Sequence, residues 1–161
     1  MSVRRVTDQR EIGELLSESL VRSIRWDVHP YKLVFDVDLA ETLTNRPYRL
    51  HRGWLVVENV SELQVNIEWG HFAGGFTVLN LRFEEPEAGV DGAVRKLELT
   101  IATPPGEVSV RGTAFLLVYS ASGHVTDEAR LSWEERTGLA KDDDLVRACG
   151  LAPLQRPCVD S

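Results

Sequence analysis

A chain of 161 residues, 43% hydrophobic and 27% charged, has the size of one domain and is too apolar to stay disordered, so it is expected to fold around its own core. No apolar run approaches the roughly 20 residues that cross a bilayer, and Met1-Ser2-Val3-Arg4-Arg5 runs into polar Thr7-Asp8-Gln9-Arg10 without a signal-peptide core; the expected setting is the cytoplasm, with no membrane contact. The net charge of −7 is concentrated between residues 58 and 91, where Glu58, Glu62, Glu68, Glu84, Glu85, Glu87 and Asp91 face only Arg82, a balance that repels a phosphate backbone, excludes nucleic acid as a direct partner and suits a basic protein.

Asp8 is placed to cap a helix with Glu11 three residues on, and Ile12, Leu15 and Leu16 supply one apolar stripe, which predicts a short helix over roughly residues 8–18. From there the period changes to two. Leu33, Phe35, Val37 and Leu39 alternate with Lys32, Val34, Asp36 and Asp38; Leu63, Val65, Ile67 and Trp69 with Gln64, Asn66 and Glu68; and Leu97, Leu99 and Ile101 with Lys96, Glu98 and Thr100. Each segment reads as a strand with one buried face, so these apolar residues are expected to share a core. Further strands are predicted over residues 20–26, 48–57, 76–83, 108–119 and 124–134, about eight in all. Phe115 to Tyr119 is apolar without alternation, as in a strand buried on both faces. Short connections such as Asp27 to Pro30, Gly70 to Gly75 and Ser120 to Gly123 favour antiparallel neighbours.

The expected fold class is therefore mainly β, an antiparallel meander forming a barrel or sandwich. Asp142-Asp143-Asp144 starts a short helix through Leu145, Val146 and Ala148 that Gly150 stops, so residues 1–150 form the domain and residues 151–161, with two prolines, a loose tail.

The usual catalytic sets are missing: there is no phosphate loop, no Gly-x-Gly-x-x-Gly, no His-Glu-x-x-His and no Gly-x-Ser-x-Gly. No catalytic residue, metal ligand or cofactor is expected. His29, His51, His71 and His124 lie in four different elements without ligand spacing and read as exposed or structurally bonded. Asp36 and Asp38, about 7 Å apart on one strand face, are the carboxylate pair that acid/base or divalent-ion chemistry would use, but carboxylates there more commonly form a wet strand face. Cys149 and Cys158 lack a Cys-x-x-Cys spacing and read as free thiols. Trp26, Trp54 and Trp133 read as core or rim packing, whereas Trp69-Gly70-His71-Phe72-Ala73-Gly74-Gly75-Phe76 is a glycine-rich aromatic loop beside carboxylates, suited to anchoring a partner or to folding back over the core.

Across residues 18–69, the order Glu18-Ser19-Leu20-Val21, Ile24-Arg25-Trp26-Asp27, Val34-Phe35-Asp36-Val37-Asp38-Leu39, Tyr48-Arg49-Leu50 and Val60-Ser61-Glu62-Leu63 resembles small immunity-type and uncharacterised bacterial β domains. That resemblance implies a cytoplasmic protein that neutralises a toxin by binding it, and it carries over no functional residue.

Three readings follow. The first is a non-enzymatic interaction domain that binds a basic protein through Glu58, Glu62, Glu68, His71 and Phe72, with Glu62 and Glu68 steering association and Phe72 slowing dissociation. The second is a β barrel enclosing a small-ligand pocket, as a carrier or an enzyme. The third is a homodimer that buries a strand edge or apolar patch.

Overall fold

The alternating segments form one antiparallel sheet of ten strands in the computed structural model, which describes residues 2–17, 19–27, 32–41, 47–67, 76–84, 94–103, 106–128 and 130–150. In chain order the elements are β1 (Val3–Val6), α1 (Gln9–Leu16), β2 (Leu20–Asp27), β3 (Lys32–Ala40), β4 (Tyr48–Glu58), β5 (Glu62–Ile67), β6 (Phe76–Glu84), β7 (Arg95–Thr103), β8 (Gly106–Gly112), β9 (Ala114–Ser120), β10 (His124–Thr126), α2 (Trp133–Leu139) and α3 (Asp142–Cys149). The expected helix α1 begins at Asp8, whose carboxylate accepts from the amides of Arg10 (2.8 Å) and Glu11 (3.3 Å) and so satisfies two donors of the first turn.

The strand order is β1-β9-β4-β3-β2-β6-β7-β8-β5, with β10 continuing beside β4. Two halves are visible in that order. The junction of β2 with β6 is a ladder of only two pairs, Leu20 with Thr77 and Val21 with Phe76. A second connection is a corner, where β4 turns into β5 and β8 turns into β9. There Asn59 adopts a left-handed φ of 51°, which asparagine tolerates better than most residues. The Thr113 amide donates to the Glu58 carbonyl and the Ser61 amide to the Arg111 carbonyl, each at 2.9 Å. Gly112 is required at this bend, because a Cβ there would lie 2.5 Å from Val57 Cγ1 and 2.7 Å from the Glu58 carbonyl oxygen.

Bending the sheet at that corner lets its halves enclose one core. Leu33, Phe35, Val37, Leu55, Val57 and Leu117 from one half meet Val78, Leu97, Leu99, Ile101, Val108 and Val110 from the other, and Ile12 and Leu16 of α1 join them. Phe83 packs edge-on against Phe115 with ring centres 5.1 Å apart. The reverse face of β3, β4 and β9 has its own apolar layer, in which Val34, Trp54, Val56 and Val118 are covered by Ala140, Leu145, Val146 and Cys149. Phe115 to Tyr119 therefore lacks alternation because both faces of β9 lie under other elements.

Three expectations need correction. Residues 108–119 are two strands broken at Thr113, and β1 is an additional one. Residues 124–134 are not a strand: β10 ends at Thr126, and Trp133 opens α2, capped by the Ser132 hydroxyl, which accepts from the Glu135 amide at 3.2 Å. On β5, Ile67 is buried and Leu63 packs on the core, but Val65 is 39% exposed, because β5 is a terminal strand of the sheet. The segments 28–30 and 70–75 and the tail 151–161 lie outside the described residues. No helix among the described residues is long and apolar enough to cross a membrane.

Candidate functional site

The carboxylates of β3 are not a wet face. Asp38 is fully buried, with Oδ1 accepting from Arg136 Nη1 and Oδ2 accepting from Arg22 Nη1 and from the Leu131 amide, both at 3.0 Å. Arg136 Nη2 pairs with Asp36. Burial pulls the Arg136 guanidinium below its ordinary value, and Asp36 opposes that shift. One strand further, Arg52 donates to the Ala140 carbonyl at 2.6 Å and pairs with Asp142, while the Arg25 guanidinium lies 4.3 Å from the centre of the Trp54 ring. Both carboxylates of β3 are thus consumed in clamping α2 onto the sheet, Arg52 of β4 holds the start of α3, and β3 presents no exposed acid pair for chemistry.

The other candidates that fall among the described residues are also structural, while His29, His71 and Cys158 lie outside them. His51 sits between the Ser120 carbonyl (2.7 Å) and Glu41 (2.6 Å), edge-on to Tyr119. His124 is half exposed and lies 2.8 Å from Glu135. Among the described residues no group of three or more His, Cys, Asp or Glu side chains is arranged to hold a metal ion. Cys149, the last residue of α3, is buried in the layer between that helix and the sheet, and that burial pushes its thiol up to about 12. In a Cys158→Ser background, the native chain is expected to resist iodoacetamide at mildly alkaline pH and to react once unfolded in urea. Labelling of the native protein at the rate of a free thiol would show that the layer under α3 is open.

The outer face of the other half of the sheet is polar, and the register explains its charge. Cross-strand neighbours form the rows Glu84, Lys96, Arg111, Glu62; then Arg82, Glu98, Ser109, Gln64; then Asn80, Thr100, Glu107, Asn66. Glu98 takes Arg82 at 2.7 Å and Lys96 at 3.0 Å. Those two cations, Lys96 first, hold its carboxyl below the usual carboxylate range, and Glu98 in turn raises the Arg82 guanidinium. In the middle of this face a cavity of about 180 Å³ is lined by Gln64, Asn66, Lys96, Glu98, Glu107 and Ser109, among others. Glu107 is exposed and has no ion pair among the described residues. The groove therefore holds two carboxylates against one ammonium, with the amide oxygens of Gln64 and Asn66 beside them as acceptors.

Of the residues assigned to partner binding from the sequence, Glu58 pairs with Lys32 at 3.1 Å and Glu62 with Arg111 at 3.6 Å. Glu68, His71 and Phe72 lie outside the described residues. Glu62 shares the outer face with Gln64 and Asn66 as expected, all three being exposed. Sequence reasoning passed over Glu98 and Glu107, whose own segments carry no excess of negative charge; only the register of β7 and β8 against β5 brings them beside Gln64 and Asn66. Trp26 and Trp133 are more than half exposed, and only Trp54 of the three is core. Comparison with protein-family models, with curated proteins and with solved structures finds nothing that matches this chain.

Proposed function

We propose that the chain is a non-catalytic interaction domain that receives an arginine or lysine side chain of a basic protein in the groove across β5, β8 and β7. One observation carries this reading: among the described residues Glu107 stands without a cation, at a concave site whose other walls offer Glu98 and the side-chain oxygens of Gln64, Asn66 and Ser109. A guanidinium has five donors and no acceptor, so a wall rich in acceptors with one uncompensated carboxylate suits it, and charge-assisted bonds are the stronger kind. Lys96 and Arg82 hold the Glu98 carboxyl below the ordinary carboxylate range, so it stays an acceptor in the groove as the pH falls towards that range. The neutralised positions Glu58 and Glu62 contribute less, since a partner cation would have to displace Lys32 or Arg111. The groove gives the binding mode that the resemblance to immunity-type domains implies, capture without chemistry.

The test uses a labelled oligo-arginine peptide and the full chain, followed by fluorescence anisotropy. Saturable binding is expected, weakening as salt rises. Glu107→Lys should reduce affinity about tenfold, or about 1.4 kcal/mol, whereas Glu128→Lys, a reversal elsewhere on the surface, should leave it nearly unchanged. Equal affinity for the wild type and Glu107→Lys, or failure of the peptide to bind, overturns the reading.

A further inference from the structure

We propose that β5 pairs with β5 of a second copy of this chain, antiparallel and with Val65 on the two-fold axis, so that one sheet runs through a homodimer. The two ends of the sheet are β1 and β5, and they differ. Edge strands that must stay unpaired are commonly blunted by charge, proline or a bulge. β1 carries exposed Arg4 and Arg5. β5 has Glu62 at its start and then five uncharged residues, Leu63-Gln64-Val65-Asn66-Ile67, and its register with β8 is unbroken from Glu62 opposite Arg111 to Ile67 opposite Gly106. The edge is free of bulges and of proline and, among the described residues, unpaired on one side.

Its pattern is self-complementary. In an antiparallel pair, residues directly opposite share a face, so an axis through a residue matches like faces and an axis between residues sets apolar against polar positions. With the axis on Val65, Leu63 stands opposite Ile67 of the second copy and Val65 opposite itself. On the other face Gln64 stands opposite Asn66. This register covers Val65, whose exposure is the exception in the row with Leu63 and Ile67. An axis moved by one residue either way sets Ile67 opposite Ser61 or leaves Leu63 opposite a position beyond the end of β5 in the other copy, and so buries less. Gln64 and Asn66 also line the groove, so the grooves of the two copies would meet at the axis. Charge opposes association, because each chain carries −7. Salt should therefore tighten the dimer, the reverse of its effect on a cationic partner, which keeps failure of this inference distinct from failure of the groove.

Sedimentation velocity of the full chain without any partner should show twice the chain mass, more completely at higher salt, and Val65→Lys should sediment as a folded monomer by circular dichroism. In a Cys158→Ser background, Val65→Cys should oxidise to a disulfide-linked dimer. Leu63→Cys should not, because its counterpart would lie about 14 Å along the strand, four residues at roughly 3.4 Å each. A wild type that stays monomeric at every salt concentration, a Val65→Lys variant that stays dimeric, or Leu63→Cys crosslinking as readily as Val65→Cys overturns the proposal.

Discussion

Replacing Asp38 with alanine is expected to destabilise the protein by about 3 to 5 kcal/mol, the cost of breaking a buried ion pair by removing one partner. The carboxylate is fully buried and serves Arg136, Arg22 and the Leu131 amide at once. Without it, Arg136 keeps Asp36 and a 3.4 Å bond to the Val37 carbonyl, but its Nη1 loses its carboxylate and the Leu131 amide becomes an orphan donor under α2. The measurement is urea unfolding, where the midpoint should fall with an unchanged slope. A double variant, Asp38→Leu with Arg136→Met, should lose less than the sum of the two single changes, because removing both charges leaves less charge buried without a partner. A loss within about 1 kcal/mol for Asp38→Ala would show that the guanidinium reaches water and that the clamp is superficial.

The second large effect is expected at Trp54. Its ring is buried at the centre of the layer between the sheet and α3 and carries the Arg25 guanidinium on its face, so Trp54→Ala should cost about 3 to 5 kcal/mol through lost burial and the cavity left behind. Trp54→Phe, which keeps an aromatic face but not the volume, should cost clearly less. Limited proteolysis gives a second readout: in Trp54→Ala, cleavage within α2 and α3 should precede loss of the sheet. Unfolding of all elements together would show that the helices and the sheet form one cooperative unit.

These two predictions concern the part of the fold that was least legible in the sequence. Alternation over Leu33 to Leu39, Leu63 to Ile67 and Leu97 to Ile101 revealed the strands, Asp8 marked the start of α1, and Gly150, with its left-handed φ of 66°, marked the end of α3. Alternation reports only that a residue is polar. It cannot distinguish a carboxylate facing water from one facing an arginine, and the arginine that buries Asp36 and Asp38 lies about 100 residues further on, at position 136. The start of α2 did leave a local mark, Ser132 followed three residues later by Glu135, which the apolar residues Val125, Leu131 and Trp133 obscured. The break at Thr113 left only Gly112, because Val108 to Tyr119 reads as one continuous strand. The acidic face shows the same limit. Counting charges between residues 58 and 91 finds one arginine, yet Lys32 and Arg111, which neutralise Glu58 and Glu62, both lie outside that window. Charge on a sheet is set by cross-strand neighbours, so on the face of β5, β8 and β7 the carboxylate without an ion pair among the described residues is Glu107, in a segment with no acidic excess.

The central claim is that binding runs through the groove of β5, β8 and β7, and its most direct test is an amide-resolved NMR titration of the full chain with the oligo-arginine peptide. The expected result is a set of concentration-dependent shifts centred on Gln64, Asn66, Glu98, Thr100, Glu107 and Ser109 and lost in Glu107→Lys. Shifts centred instead on the helix-covered face around Trp133 and Asp142, or spread evenly over the acidic surface, would contradict it.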